Sequence, residues 1–267
     1  MEPIRTGEHI WCQLFSEPEA GSDLASVRTT ARRDGKGWLV HGHKIWSSAA
    51  QVADYGILLA RTGPGRSGLS AFAVPMKSAG ITVTPIAQMD GESKFNEVRL
   101  ESVRLEEGAL LGEEGQGWAV ATTTLGRERL SLGAGAVKMF TWLDQLVEEA
   151  RRRDRLSEPL RHELVKAWTS VWLLRATWLR ALATGDEDGA SPAFSILKML
   201  SSTTQRDIGE LGSQVLEADL EAREMHDEFA HRLLIGPAQT ILGGTTEIQR
   251  MILAERLLGL PREPKCG

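Results

Sequence analysis

Cysteine is almost absent: Cys12 and Cys266, one near each end of 267 residues, are the only two. Thiols so placed offer neither a disulfide framework nor a zinc-ligand spacing, so a reducing, cytoplasmic compartment is expected. Long apolar runs are lacking too. No stretch approaches the roughly 20 residues needed to span a bilayer, and Met1-Glu2-Pro3-Ile4-Arg5 does not open a signal peptide, so no membrane association is expected. Positive charge is not in excess: 31 Lys and Arg against 36 Asp and Glu leave a net charge of −5. No basic stripe interleaved with aromatics occurs either, which argues against a nucleic-acid partner. Histidines number six, and the closest pair, His41 and His43, would share one strand face as metal ligands could. No third ligand stands near them, so no metal is expected. Internal repeats, low-complexity tracts and long charge blocks are missing as well.

What is present suffices for a substantial core. A chain of this length buries about three quarters of the surface its unfolded form exposes, in one large domain or two of ordinary size. Its grammar changes partway. From Trp11 to about Arg104 short alternating runs such as Trp38-Leu39-Val40-His41 and Gly56-Ile57-Leu58-Leu59-Ala60 are broken by Gly, Pro and Asp clusters, as in an all-β segment. Asp34-Gly35-Lys36-Gly37 reads as a hairpin turn. After Gly115-Gln116-Gly117 the period becomes helical, with helices expected near 116–152, 157–184, 192–217 and 238–258 and shorter helical pieces between. Gly236-Pro237 reads as one of the separators. Trp168, Trp172, Arg175, Leu179 and Leu182 share one broad helical face, and the tryptophans on helices read as core. Arg151-Arg152-Arg153-Asp154-Arg155 reads as a cationic helix end facing water. The expected class is therefore α+β: an antiparallel, β-barrel-like domain over 1–112, then an antiparallel four-helix bundle over 113–267.

Three motifs stand in order across this switch: Trp11-Cys12-Gln13-Leu14-Phe15-Ser16-Glu17-Pro18-Glu19-Ala20-Gly21-Ser22-Asp23, then Gly42-His43-Lys44-Ile45-Trp46-Ser47-Ser48, then Gly243-Gly244-Thr245-Thr246-Glu247-Ile248-Gln249-Arg250. Together they resemble the acyl-CoA dehydrogenase family over essentially the whole chain. The resemblance implies a flavoenzyme that uses FAD to introduce a double bond next to the carbonyl of an acyl-CoA thioester. It also implies an electron-transfer flavoprotein as reoxidant, and a homo- or hetero-oligomer with family subunits. In such enzymes an N-terminal helical domain forms one wall of the flavin and acyl pocket. Here residues 1–10 read as the connection into the β domain. Either a longer chain or another polypeptide would supply that wall.

Residue by residue, the resemblance assigns Gln13, Phe15, Ser16, Trp46 and Ser48 to the flavin ring. Thr245, Glu247 and Gln249 fall to its ribose and pyrophosphate region. Gly21 and Ser22 fall to the thioester end of the pantetheine arm. An aromatic residue often stands where this chain has Gln13. Glu247 is less suited to phosphate than a neutral Gln; it either bonds a ribose hydroxyl or favours the helix start electrostatically. The base is the decisive assignment. Straight-chain members carry the catalytic Glu just before the Gly-Thr of the third motif, where this chain reads Gly243-Gly244-Thr245. Isovaleryl-type members have Gly there and take the Glu from an earlier helix, immediately before an Arg. Gly126-Arg127-Glu128-Arg129-Leu130 matches the second pattern, which makes Glu128 the expected base. Arg129 and Gly243 are then expected on the substrate side, with room for branched or bulky acyl groups.

Two departures leave alternatives open. Loops that commonly hold flavin phosphate in the family read Arg155-Leu156-Ser157-Glu158-Pro159 and Gln214-Val215-Leu216-Glu217-Ala218 here. Flavin would then be held more weakly, by other groups, or by a partner chain in a mixed assembly such as some steroid-degrading bacterial members form. A non-catalytic or half-site subunit of a heteromeric enzyme, and an acyl-CoA oxidase, remain the rival readings.

Overall fold

The computed structural model describes residues 2–183, 191–216 and 223–262. The class is α+β, and the chain divides into two compact units, Met1–Thr122 and Thr123–Gly267.

The first unit opens with a short helix, α1 (Glu2–Arg5), and carries eight strands: β1 (Trp11–Leu14), β2 (Thr30–Asp34), β3 (Gly37–Ser48), β4 (Tyr55–Arg61), β5 (Leu69–Pro75), β6 (Ile81–Ile86), β7 (Phe95–Leu105) and β8 (Leu110–Leu111). They form one sheet in the order β6-β7-β3-β2-β4-β5-β8, with β1 paired to β4. Most pairings are antiparallel, but β1 with β4 and β2 with β4 run parallel. The sheet is open, with β6 and β8 at its ends, where a barrel-like form was expected. The hairpin turn sits where its residues demand it. Asp34 pairs with Gly37 across β2 and β3, and Gly35 takes a φ of +63° between them. Apolar residues from alternate strand positions, among them Leu14, Trp38, Val40, Leu58, Phe72, Val98 and Leu100, pack into one buried cluster. The Trp38 ring meets Phe72 edge-on at 5.0 Å.

Helices follow: α2 (Gly117–Leu132), α3 (Ala136–Arg152), α4 (Glu158–Ala183), α5 (Ala193–Leu216), α6 (Arg223–Gln239) and α7 (Thr246–Ile252), the last continuing as a π turn over Leu253–Leu257. Helix α5 packs against α3, α4, α6 and α7, and its buried stripe of Phe194, Leu197, Ile208, Leu211 and Val215 lies in the second core cluster. Three expectations are corrected. The helix expected over 116–152 is divided by a 3-10 turn at Gly133–Gly135. The helix expected over 238–258 is not continuous either. Pro237 lies inside the last turn of α6, where its missing N–H costs a single backbone bond, and the break comes at Thr240–Thr245, where Gly243 and Gly244 take φ of +65° and +97°. The Trp168 and Trp172 face of α4 is not core: these rings are 47% and 42% exposed, and the buried stripe is Leu160, Leu164, Ala167, Val171 and Leu174. Helix α4 is apolar on two sides, so periodicity alone did not say which side α3 and α5 cover.

The Arg151–Arg155 run is also less solvated than its sequence suggests. Arg152 and Arg153 both bind the Glu149 carboxylate, and the Arg153 side chain is nearly enclosed. Arg152 first, then Arg153, holds the Glu149 carboxyl at about 2, well below its usual 4.5. A depressed carboxyl stabilises the fold above its unfolded pKa and stops doing so as pH falls through its folded value. The stability difference between the native chain and Glu149→Gln should therefore be fully present above about pH 4.5 and fade toward pH 2, which urea unfolding across that range would read.

A pair of glycines gives a second test. A β-carbon at Gly133 would lie 2.2 Å from Trp178 Cγ, whereas one at Gly135 meets nothing closer than Met139 Cε at 3.8 Å. Gly133→Ala should cost about 1–3 kcal/mol through overpacking. Gly135→Ala should be neutral or stabilising by about 0.4–1 kcal/mol through the unfolded chain, with denaturant midpoints as the measurement.

Candidate functional site

In the first unit the motif residues are arranged around a bulge. β3 and β7 stay in register at Lys44 with Val98 and again at Ser47 with Asn96, so three steps on β3 face two on β7. The extra residue is accommodated around Ile45 and Trp46, and Trp46 takes a φ of +61°, which a bulky side chain rarely adopts. The bulge turns the indole outward: Trp46 is 53% exposed, with its ring edge-on to Phe95 at 6.1 Å. Ser48 is exposed at the end of the same strand. Asn96 stabilises the far side of the bulge, donating from Nδ2 to the Ser47 carbonyl at 3.0 Å and to Gln51.

A buried ion pair lies on the near side. Lys44 is 0% exposed, and its Nζ donates to Glu17 Oε1 at 2.8 Å and to the Phe15 carbonyl at 2.9 Å. Glu17 also accepts from the backbone N–H groups of Arg28 at 2.6 Å and Thr29 at 2.9 Å. Burial brings the Lys44 ammonium down to about 8 against the opposing pull of Glu17. The Ile45 N–H then donates to the Ser16 carbonyl at 3.0 Å, so the segment after β1 is tied to the strand that carries Trp46. Phe15 is buried, Gln13 and Ser16 are half-buried, and Gly21 and Ser22 are exposed beyond a tight turn closed by Glu17 and Ala20. Neither Glu17 nor Lys44 was assigned a role from sequence, although both sit inside the motifs. The available signal was a lysine at the same alternation as Trp38 and Val40, the inward positions of β3.

The second unit brings Glu128, Arg129 and Gly243 together from elements more than a hundred residues apart. A β-carbon at Gly243 would stand 3.4 Å from Glu128 Oε1, so the carboxylate lies against the glycine turn. Arg129 reaches the Gly243 carbonyl at 3.5 Å, and its Nε is buried without a hydrogen-bond partner. Gln249, fully buried, donates from Nε2 to the carbonyls of Gly243 and Gly244, both at 3.3 Å, leaving its Oε1 unpaired. Thr245 caps α7 by accepting the Ile248 N–H at 3.3 Å. The Glu247 carboxyl is held below its ordinary range, first by its own backbone N–H and then by the Thr245 hydroxyl. Glu247 lies in the first turn of α7. Lys198 on α5, which sequence reading missed, is buried and donates to the carbonyls of Gln239 at 3.2 Å and Thr240 at 3.0 Å.

The two altered segments meet at one hydrogen bond. Arg155 donates to the Val215 carbonyl at 3.3 Å, while Val215 and Leu216 are buried at the end of α5. Residues 217–222 lie outside the described residues.

The residue types suit a flat, weakly polar ring at the Trp46 bulge, where an exposed indole and, two residues on, the exposed Ser48 hydroxyl stand at the end of β3. The Thr245 hydroxyl and the Gln249 amide nitrogen are engaged within the α7 turn, while Gln249 Oε1 has no partner.

Comparison with known proteins identifies both units. Residues 12–103 match the acyl-CoA dehydrogenase middle domain and residues 115–258 match the acyl-CoA dehydrogenase C-terminal domain. Acyl-CoA dehydrogenase IpdE1 of Mycobacterium tuberculosis is 40% identical over 272 residues, spanning 98% of this chain and 70% of that protein. Among solved structures, the Tcur3481-Tcur3483 steroid ACAD superposes with a TM-score of 0.89 at 26% identity, covering 98% of this chain and 71% of that one. The ChsE4-ChsE5 complex from Mycobacterium tuberculosis superposes with a TM-score of 0.84 at 31% identity, with coverage of 98% and 71%. The chain belongs to the acyl-CoA dehydrogenase family, a family of FAD-dependent oxidoreductases. No helix among the described residues is long and apolar enough to cross a membrane.

The Lys44 pair yields a direct test. Lys44→Met leaves the buried Glu17 carboxylate without its cation and should cost about 3–5 kcal/mol in urea unfolding. Combined with Glu17→Gln, the loss should fall short of the sum of the two single losses by about 0.5–3 kcal/mol.

Proposed function

We propose that this chain catalyses FAD-dependent α,β-dehydrogenation of an acyl-CoA thioester whose acyl group is branched or bulky, with Glu128 as the base. The observation that carries this reading is the Glu128 carboxylate standing against side-chain-free Gly243. The third motif lacks a carboxylate, and the nearness of Glu128 to its Gly243 supports this assignment. Glu128 accepts the proton released from the carbon next to the thioester carbonyl, so a C–H bond breaks and its electron pair becomes available for the new double bond. Bound FAD supplies the acceptor for the hydride that leaves the next carbon. Trp46 and Ser48, with Gln13, Phe15 and Ser16, would hold the ring, and Gly21 and Ser22 the thioester end of the pantetheine arm. Thr245, Glu247 and Gln249 would shape the turn beside the ribose and pyrophosphate. Arg129 keeps the Gly243 carbonyl in place on the acyl side.

On this reading residues 1–112 form the flavin- and acyl-CoA-binding domain. Residues 113–267 form the helical domain, whose α3, α4, α5 and α6 make up an antiparallel four-helix bundle. Electrons would leave through an electron-transfer flavoprotein, and the chain would work in the cytoplasm within an oligomer of family subunits. The steroid substrate class named for the Tcur3481-Tcur3483 enzyme favours a bulky acyl group, for which the absent side chain at Gly243 leaves space.

A second reading, a half-site subunit of a mixed assembly, is favoured by the internal use of Thr245 and Gln249 and by the two-subunit composition of the ChsE4-ChsE5 complex. Flavin absorbance of the purified chain separates the two: stoichiometric flavin supports the complete site, and its absence supports the half-site. Peroxide formation in air would point to an oxidase.

Glu128→Gln should retain bound flavin and lose substrate-driven bleaching by roughly 10²–10⁴-fold in rate. Stopped-flow absorbance with a branched acyl-CoA checks this, and undiminished bleaching would remove Glu128 as the base. Clear preference for a straight medium chain would overturn the bulky-substrate assignment.

A further inference from the structure

Lys198 is a charged residue on a buried helix stripe, between Leu197 and the equally buried Ser201 and Ser202. A long cationic side chain normally reaches water, and one held inside needs acceptors. Here the acceptors are the carbonyls of Gln239 and Thr240, where α6 ends and its terminal oxygens lack helical partners. The Thr240 carbonyl has a second role: it accepts the Thr246 N–H at 3.0 Å and the Thr246 hydroxyl at 3.3 Å. One oxygen therefore joins the start of the Thr240–Thr246 turn to its end, and Lys198 holds that oxygen. Gly243 sits at the apex of this turn, with Glu128 Oε1 at 3.4 Å from the place its β-carbon would occupy.

We propose that Lys198 is a positioning residue for the dehydrogenation: its ammonium clamps the Thr240–Thr246 turn and thereby holds Gly243 where the Glu128 carboxylate has room to meet the substrate. The inference rests on the proposed role of Glu128. The charged groups acting on Lys198 are Arg129 and Glu128 from α2 and Glu247 from α7. Burial lowers its ammonium to about 8, Arg129 adds to that, and the two carboxylates oppose it. The clamp is therefore charged below that pH and loses its charge above it.

Hydrogen exchange at the Thr246 amide, corrected for intrinsic rate, reads the clamp without reference to activity. Protection there should fall by about tenfold or more in Lys198→Met at about pH 7, and in the native chain between about pH 7 and pH 9, with the α5 amides of Ile208 and Leu211 unchanged. In the flavin-loaded enzyme, kcat should drop roughly 10–100-fold in Lys198→Met, and the alkaline limb near the Lys198 pKa should disappear. Native Thr246 protection in the variant, or an alkaline limb that survives the substitution, would overturn the proposal. Should Lys198→Met not fold, the pH comparison on the native chain decides alone. An active Glu128→Gln with intact Thr246 protection would remove the base assignment while leaving the clamp standing.

Discussion

A lysine taken wholly out of water and a glutamate taken almost wholly out of it impose the strongest constraint on the β unit. Once Lys44 and Glu17 are inside, each must find every partner it needs, because an uncompensated charge in that setting costs more than almost any other single defect. Glu17 takes two backbone N–H groups from Arg28 and Thr29, and Lys44 takes the Phe15 carbonyl. The loop after β1, the entry to β2 and the middle of β3 are thereby tied to a single point. The strained backbone at Trp46 follows directly, since Lys44 anchors β3 before the bulge and Asn96 anchors it after. Strain of this kind persists only where the surroundings over-determine it, and it occurs here at the one large aromatic ring that the sheet turns outward.

The helical unit applies the same logic with different means. Two glycines in left-handed conformation interrupt what would otherwise be one helix, and the resulting turn is held from three directions: Arg129 on the Gly243 carbonyl, Gln249 on both glycine carbonyls, and Lys198 on Thr240. Such support fixes the glycine turn against Glu128, which is the rigidity the proposed proton abstraction would require. The residues that provide the support come from α2, α5 and α7, so the site depends on the packing of the whole unit.

Several elements were legible in the chain because their signals are local. The Asp34–Gly37 hairpin follows from turn chemistry over four residues, and the starts of α4 and α5 follow from helical period and local punctuation, needing no distant partner. The pairing of Glu128 with Gly243 was legible from two motifs read against each other. The break at Gly133–Gly135 was not, because Gly133 is explained by the Trp178 ring that fills its β-carbon position, and that ring lies 45 residues along the chain. The face of α4 that would be covered was equally hidden, since Leu164, Val171 and Leu174 and the Trp168–Trp172 pair are both apolar stripes.

By itself the sequence determined the α+β class, the hairpin turn, the order of the motifs and the residue type at each motif position. These rest on backbone preference, periodicity and side-chain chemistry, which act over a few residues. Only the tertiary structure decided which charges are buried, that the sheet is open, that Trp46 turns outward on a bulge, and that Lys198 grips the turn carrying Gly243. Each of these depends on desolvation and on partners brought from far along the chain, and neither quantity exists until the chain has folded.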